Sequence, residues 1–254
     1  MGPIRQFFNE TGELARFFGK FWREAVLPPY EFKEVFRHLY FIGVSTLPLV
    51  SITSLIMGLV LTLQSRPTMV EFGAESFLPS MVSISIVREI GPVITALICA
   101  GKVGSGIGAE LAGMRVTEQI DAMEVAGNNP FNYLVVTRTV ACTYAVPILV
   151  VYADFLAMIG GYLGVNINSK VTFMLYFTKA MGAIDFSDLF PALIKTFFFG
   201  FFIALVSCYK GYNASNGTEG VGRAANASVV AASLMVFVVD MLAVQIADFI
   251  TKLG

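Results

Sequence analysis

Arg88-Glu89-Ile90-Gly91-Pro92, the small-residue run from Gly101 to Ala112, and Thr117-Glu118-Gln119-Ile120-Asp121-Ala122-Met123-Glu124 together decide how this chain is read. Two adjacent charges stand inside an apolar segment. A charged group at a bilayer centre costs about 2.5–3.5 kcal/mol or more, so such residues mark a functional path. The short polar helix that follows lies between two apolar segments and offers a handle to a soluble partner. A path joined to a handle suggests a transporter subunit energised from outside its own sequence.

Composition sets the solvent. Of 254 residues, 56% are hydrophobic and 14% charged, with a mean hydropathy of +0.73. Soluble domains are about 45–50% apolar and about 25% charged. The chain therefore reads as an all-α integral membrane protein. A net charge of -1 gives no pointer to nucleic acid. Cys99, Cys142 and Cys208 lie in apolar runs without a CxxC pair and read as small buried hydrophobes. His38 is the single histidine, so no histidine metal cluster can assemble, and no catalytic constellation is expected. No cleavable signal peptide is evident.

Residues 1–39 read as an amphipathic helix lying in the membrane interface. Asn9, Glu13, Arg16, Lys20 and Arg23 form a polar stripe, with Phe7, Leu14, Phe18, Phe21, Trp22 and Ala25 opposite. A cytosolic helix packed on a partner is the alternative. Leu27-Pro28-Pro29 ends it, and Phe32, Val35, Phe36 and Leu39 open a second short amphipathic piece. Residues 40–254 then carry five spans, at about 40–63, 81–109, 133–165, 189–209 and 227–250. The first is unusually polar (Ser45, Thr46, Ser51, Thr53, Ser54) and holds Pro48, whose freed backbone group a hydroxyl can satisfy. Connections are expected at 64–80, 166–188 and, as a Gly/Asn/Ser-rich loop, 210–226. Ten Lys and Arg fall on the N-terminal side and five, including Lys195, on the other, which places the N-terminus in the cytoplasm and the C-terminus outside.

Several motifs carry chemistry. Arg88 and Glu89 are either a structural ion pair or the lining of a lipid-sized cavity in which Arg88 meets phosphate. Ser51, Leu55 and Leu59 of the first span are the expected second wall, and with Arg88 and Glu89 they form the candidate lipid-binding set. The Gly101–Ala112 run lacks the order of a nucleotide loop and reads as close helix packing, with Gly104 and Gly108 at a dimer contact. Thr117 is expected to cap a helix at about 117–127 that Gly127 stops. On it Glu118, Gln119, Asp121, Met123 and Glu124 are the candidate partner contacts. Asp154, Asp240 and Asp248 suggest a proton relay, but no Lys or His stands at matching depth, and satisfied contacts within the bundle are preferred.

Taken together these residues resemble the MlaE permease family, the membrane subunits of ABC transporters that move phospholipid between bacterial membranes. The match rests on Arg88 to Pro92, Gly104-Ser105 leading to Ala109-Glu110-Leu111, Thr117 to Glu124, Pro130, Tyr133-Leu134-Val135, Arg138 and Gly220-Val221-Gly222-Arg223-Ala224. The resemblance implies a homodimer of five-span subunits in the bacterial inner membrane, with a lipid pocket at the dimer interface and a role in outer-membrane lipid asymmetry. It implies a cytoplasmic ABC ATPase docked on residues 118–124, carrying the ATP and magnesium, and no cofactor in this chain. It also implies a periplasmic MCE-domain carrier, expected as a hexamer, and often a small STAS-domain protein. The competing reading is a stand-alone secondary transporter of a hydrophobic or amphipathic substrate that uses its intramembrane acids.

Overall fold

The computed structural model describes residues 3–26, 28, 31–167, 170–215 and 217–253, the side chains of residues 3–11 and 250–253 excepted. Among the described residues, eight helices follow one another and there is no strand. They are α1 (Pro3–Val26), α2 (Phe32–Glu71), α3 (Glu75–Val116), α4 (Gln119–Val125), α5 (Asn132–Asn166), α6 (Phe173–Gly182), α7 (Phe186–Tyr212) and α8 (Thr218–Leu253). Five of them, α2, α3, α5, α7 and α8, are long and apolar enough to cross a membrane. Helix is the form a single segment must take there, because only a helix satisfies its own backbone groups away from water.

The expected connections shrink. Residues 64–71 continue α2, and the chain reverses within residues 72–74, held by Gly73 N–H to Val70 O and Ala74 N–H to Met69 O. Arg66 clamps the turn by donating twice to Glu75 Oε1, at 3.0 and 2.8 Å. The expected loop over 210–226 is likewise mostly helix, since α7 runs to Tyr212 and α8 starts at Thr218. The piece begun at Phe32 is the first part of α2 itself, and α6 is a helix that periodicity alone did not reveal. α2 also runs through Pro48. Ser51 donates to the Leu47 carbonyl at 2.7 Å, not to the Val44 carbonyl that Pro48 cannot bond. Leu27 and Pro29, two residues of the expected break, lie outside the described residues.

Two compact units divide the chain, and the boundary falls inside each long helix. The first unit comprises residues 1–42, 99–145 and 200–235. Here Phe17 of α1 meets Phe131, Tyr209 and Tyr212 at ring separations of 4.9, 5.5 and 6.3 Å. Phe21 and Trp22 pack on Phe201. Two residues of the expected polar stripe turn toward the bundle. Tyr209 O–H donates to Glu13 at 3.0 Å, and Lys20 lies 4.4 Å above the Phe131 ring. Small residues set the helix spacing in this unit: Gly104 faces Ser207, Gly108 faces Ser228, and Gly211 lies on the Gly108 carbonyl. Gly104 and Gly108 thus pack within the chain, while Gly101 and Gly106 have open space beside them. All three cysteines are fully buried here.

The second unit comprises residues 43–98, 146–199 and 236–254. Its apolar centre joins Leu78, Val82, Ile86, Ala157, Val165, Tyr176 and Ala180. α2 and α5 cross here at backbone contact. A methyl group on Gly58 would stand 1.8 Å from the Ala157 carbonyl oxygen, and one on Gly160 would stand 2.0 Å from that of Leu55. Side-chain-free positions on both helices let dispersion act between the backbones themselves, the dominant attraction between helices in lipid. Gly58→Ala is therefore expected to lower thermal stability by about 1–3 kcal/mol, as overpacking does. Gly43→Ala, with nothing within 4 Å of the added carbon, should be neutral or stabilising in the same unfolding measurement.

Candidate functional site

Arg88 and Glu89 sit in a wide, π-type turn of α3, Ile86–Ile90. Such turns shift the register of everything beyond them and recur at functional sites. The two residues do not pair with each other. Neighbouring positions on a helix diverge by about 100°, and each takes its own partner on α7. Arg88 Nε lies 3.6 Å from Asp188, and Lys195 donates to Glu89 at 2.7 Å. Asp188 and Lys195 are seven residues apart, two turns, so one stripe of α7 answers both.

Lys195 is the centre of this cluster. The tally of basic residues counted it on the far side although it falls inside the expected 189–209 span; its side chain is 4% exposed and it also donates to Asp240 of α8 at 2.9 Å. This overturns the objection that no lysine stands at the depth of the intramembrane acids. A buried ammonium is tolerated only with such compensation. Arg88, at 55% side-chain exposure and a longer separation, is the member whose charge is least consumed internally. Asp154 of α5 lies close by in sequence space to none of these, yet its Oδ1 occupies the notch left by Gly91, 1.8 Å from where a methyl would be, and it is buried without a hydrogen-bond partner. The cavity lined by Val87, Pro92, Val150 and Asp154 measures ≈ 20 Å³, room for about one water. Small-molecule sites need about 300–1,000 Å³, so this cavity alone does not receive a lipid.

The other candidate wall lies differently. Ser51 hydrogen-bonds Tyr152 O–H at 2.7 Å, and the backbones of Leu55 and Leu59 lie against Gly160. These three residues bind α2 to α5, with the Leu55 and Leu59 side chains half-buried.

In the first unit, α4 is a seven-residue helix shorter than the 117–127 expected. Thr117 does not cap it. Its hydroxyl bonds the Gly113 carbonyl at 2.8 Å and closes α3. Glu118 makes the corner in a left-handed conformation, φ 58°, which costs a non-glycine residue about 1–2 kcal/mol. At the other end Gly127, φ 81°, permits a paired stop: Gly127 N–H to Glu124 O and Asn128 N–H to Met123 O. Ile120 is fully buried and anchors the helix, and Arg115 holds Asp121 at 2.5 Å. Outward stand Glu118, Gln119, Asp121 and Glu124, with Val125 at 89% exposure; Met123 is half-buried. The flank is braced by a pair that sequence spacing did not suggest. Arg138, 5% exposed in its side chain, donates to Glu110 at 2.8 Å and to the Leu134 carbonyl at 2.9 Å. Both members stand in the motifs that carry the family resemblance, and that was the one available signal. Among the described residues no group of His, Cys, Asp and Glu could hold a metal ion.

The Lys195 cluster can be tested by compensation. Lys195→Met strands two carboxylates and should destabilise the protein by about 1.5–3 kcal/mol. Adding Glu89→Gln and Asp240→Asn to it should restore most of that stability in thermal unfolding while transport stays impaired.

A family model described as "Permease MlaE" matches residues 35–246. A probable ABC transporter permease protein of Rickettsia typhi is 38% identical over 225 residues, 87% of this chain and 85% of that protein. One of Rickettsia felis is 36% identical over 241 residues, 95% of this chain and 93% of its own length. A third, of Synechocystis, is 32% identical over 206 residues, covering 81% and 78%. The matched region takes in the α3 charge pair, α4, the Glu110–Arg138 brace and the α7 stripe, and the chain belongs to the MlaE permease family, as a multi-pass membrane permease subunit.

Proposed function

We propose that this permease moves phospholipid across or out of the bacterial inner membrane, energised by a separate cytoplasmic ATPase that docks on α4. The observation that carries the reading is α4 itself: a strained, acidic, outward-facing helix anchored by a single buried residue, Ile120. Backbone strain of this kind persists where the surroundings over-determine it, often at switch and contact regions. The relatives' designation as ABC transporter permeases supports an ATPase partner. This chain would bring no cofactor; ATP and magnesium would sit on the ATPase.

Phospholipid as cargo is supported by the half-exposed Arg88 beside an apolar bundle, since guanidinium matches phosphate geometry. The smallness of the cavity beside it supports a pocket completed by a second copy of the chain, hence a homodimer. An MCE-domain carrier on the far side, and a STAS-domain protein with the ATPase, complete the assembly proposed. For orientation, removing the buried Arg138 and Lys195 from the tally leaves nine basic residues against four, which favours a cytoplasmic N-terminus and a periplasmic C-terminus. The secondary-transporter reading draws on the lone Asp154 oxygen, but it gives α4 no role.

Co-purification tests the reading. Glu118→Gly relieves the left-handed strain and removes the charge together, so Glu118→Gly with Glu124→Lys should leave the permease as stable as before. ATPase recovered with it should fall at least about tenfold, a loss of about 1.4 kcal/mol in binding. Undiminished ATPase recovery and ATP-dependent transport would overturn the docking assignment.

A further inference from the structure

Helix α6, between the third and fourth spans, is too short to cross a membrane, yet it is apolar inside and largely apolar outside, where Thr178 is the one exposed hydroxyl. Its inner face is accounted for. Tyr176 and Ala180 are fully buried among Leu78, Val82 and Val165, and the Tyr176 ring meets Tyr162 at 5.7 Å. Two of its last carbonyls are taken by serines of α3, Ser80 to Lys179 O at 3.2 Å and Ser83 to Ala180 O at 3.0 Å. The helix is therefore pinned to α3, not hung on a loop. Its outer face carries Phe173, Met174, Leu175 and Met181, exposed at 53, 73, 50 and 49%.

We infer that α6 is an interfacial helix whose outer face lies in the lipid of the leaflet where the third and fourth spans emerge. Three observations select lipid as the occupant. First, the level is right. Tyr176 O–H packs against Gly161 and its ring against Tyr162, so α6 lies along the closing turns of α5, the part of a span that nears the headgroups. Second, exposed apolar residues flank α6 on both sides, Leu163 of α5 and Ile167 just past its end before it, and Phe186 and Phe190 of α7 after it. An apolar surface that runs on from a short helix to the spans beside it is what acyl chains cover. Third, the charges stand at the edges. Lys170 is exposed ahead of the helix, and Lys179 donates to Ser76 O at 3.0 Å at the head of α3, so the outer face carries no charge. This inference stands on the fold alone and does not depend on the transport reading.

Spin labels on the full chain in nanodiscs of phosphatidylcholine and phosphatidylglycerol test it. The native cysteines are fully buried, so single Met174→Cys, Leu175→Cys and Met181→Cys variants can be labelled selectively. Label collisions with oxygen should exceed those with a water-soluble nickel chelate at all three positions. The ratio should be reversed at Lys170→Cys and Asp185→Cys. Nickel-dominated collisions at 174 and 175 would place this face in water, open to a soluble domain, and would overturn the proposal. Dipolar broadening between labels of two copies at 174 would overturn it too, in favour of a protein–protein contact. Because the label reports depth and not transport, a failure here is distinct from a failure of the phospholipid or ATPase assignments.

Discussion

A lysine held at 4% exposure between Glu89 at 2.7 Å and Asp240 at 2.9 Å fixes the rotation of three long helices at once. Burial of the ammonium makes any mismatch expensive, while the Glu89 and Asp240 side chains keep 42% and 20% exposure. α3 must turn Glu89 inward, α8 must turn Asp240 inward, and α7 must bring Lys195 between them. Arg88 then has no remaining place on that side, and it falls outward toward Asp188, two turns along the same α7 stripe. The residue left facing outward is thus chosen by the ion pairs of its neighbour.

Backbone geometry makes this possible. α3 and α5 depart from α-helical register at Ile86–Ile90, Ala100–Gly104 and Asn132–Val136. Each departure re-aims the side chains that follow, and each coincides with a motif: the Arg88-Glu89 pair, the small-residue run with Lys102, and the approach to Arg138. Gly91 adds a notch for the Asp154 carboxylate. A regular helix through the same residues would direct these groups differently. α4 shows the same principle outside the membrane, where one strained corner at Glu118 and one glycine stop at Gly127 set a short acidic face outward.

Helix contact divides by mechanism. In the unit containing α6, glycines bring α2 and α5 to backbone contact, and Tyr176 fills the space beside Gly161. In the unit containing α4, glycines meet serine hydroxyls on neighbouring helices, and aromatic rings of α1 pack across α5 and α7. Both solutions work without a hydrophobic driving force between helices, as lipid requires.

Composition and hydropathy by themselves determined the membrane class, the five spans and the short polar helix between the second and third, because burial in lipid demands long apolar runs and tolerates no unpaired backbone. The Arg88-Glu89 charges and the acidic 118–124 segment were legible for the same reason: charge in or beside such runs cannot be incidental. Tertiary structure alone decided which charge meets which. Lys195 was counted with the far-side charges although it falls inside the expected 189–209 span, because hydropathy blurs span ends, and its partners lie 106 and 45 positions distant. Glu110 and Arg138 gave no periodic signal, and Thr117 closed the preceding helix because a hydroxyl can serve either side of a corner. Nor could spacing tell whether Gly104 and Gly108 face another part of the chain or another copy. α6 was hidden because ten apolar residues satisfy helix and connection alike until a neighbouring surface, here α3, supplies the contacts that fix one of them.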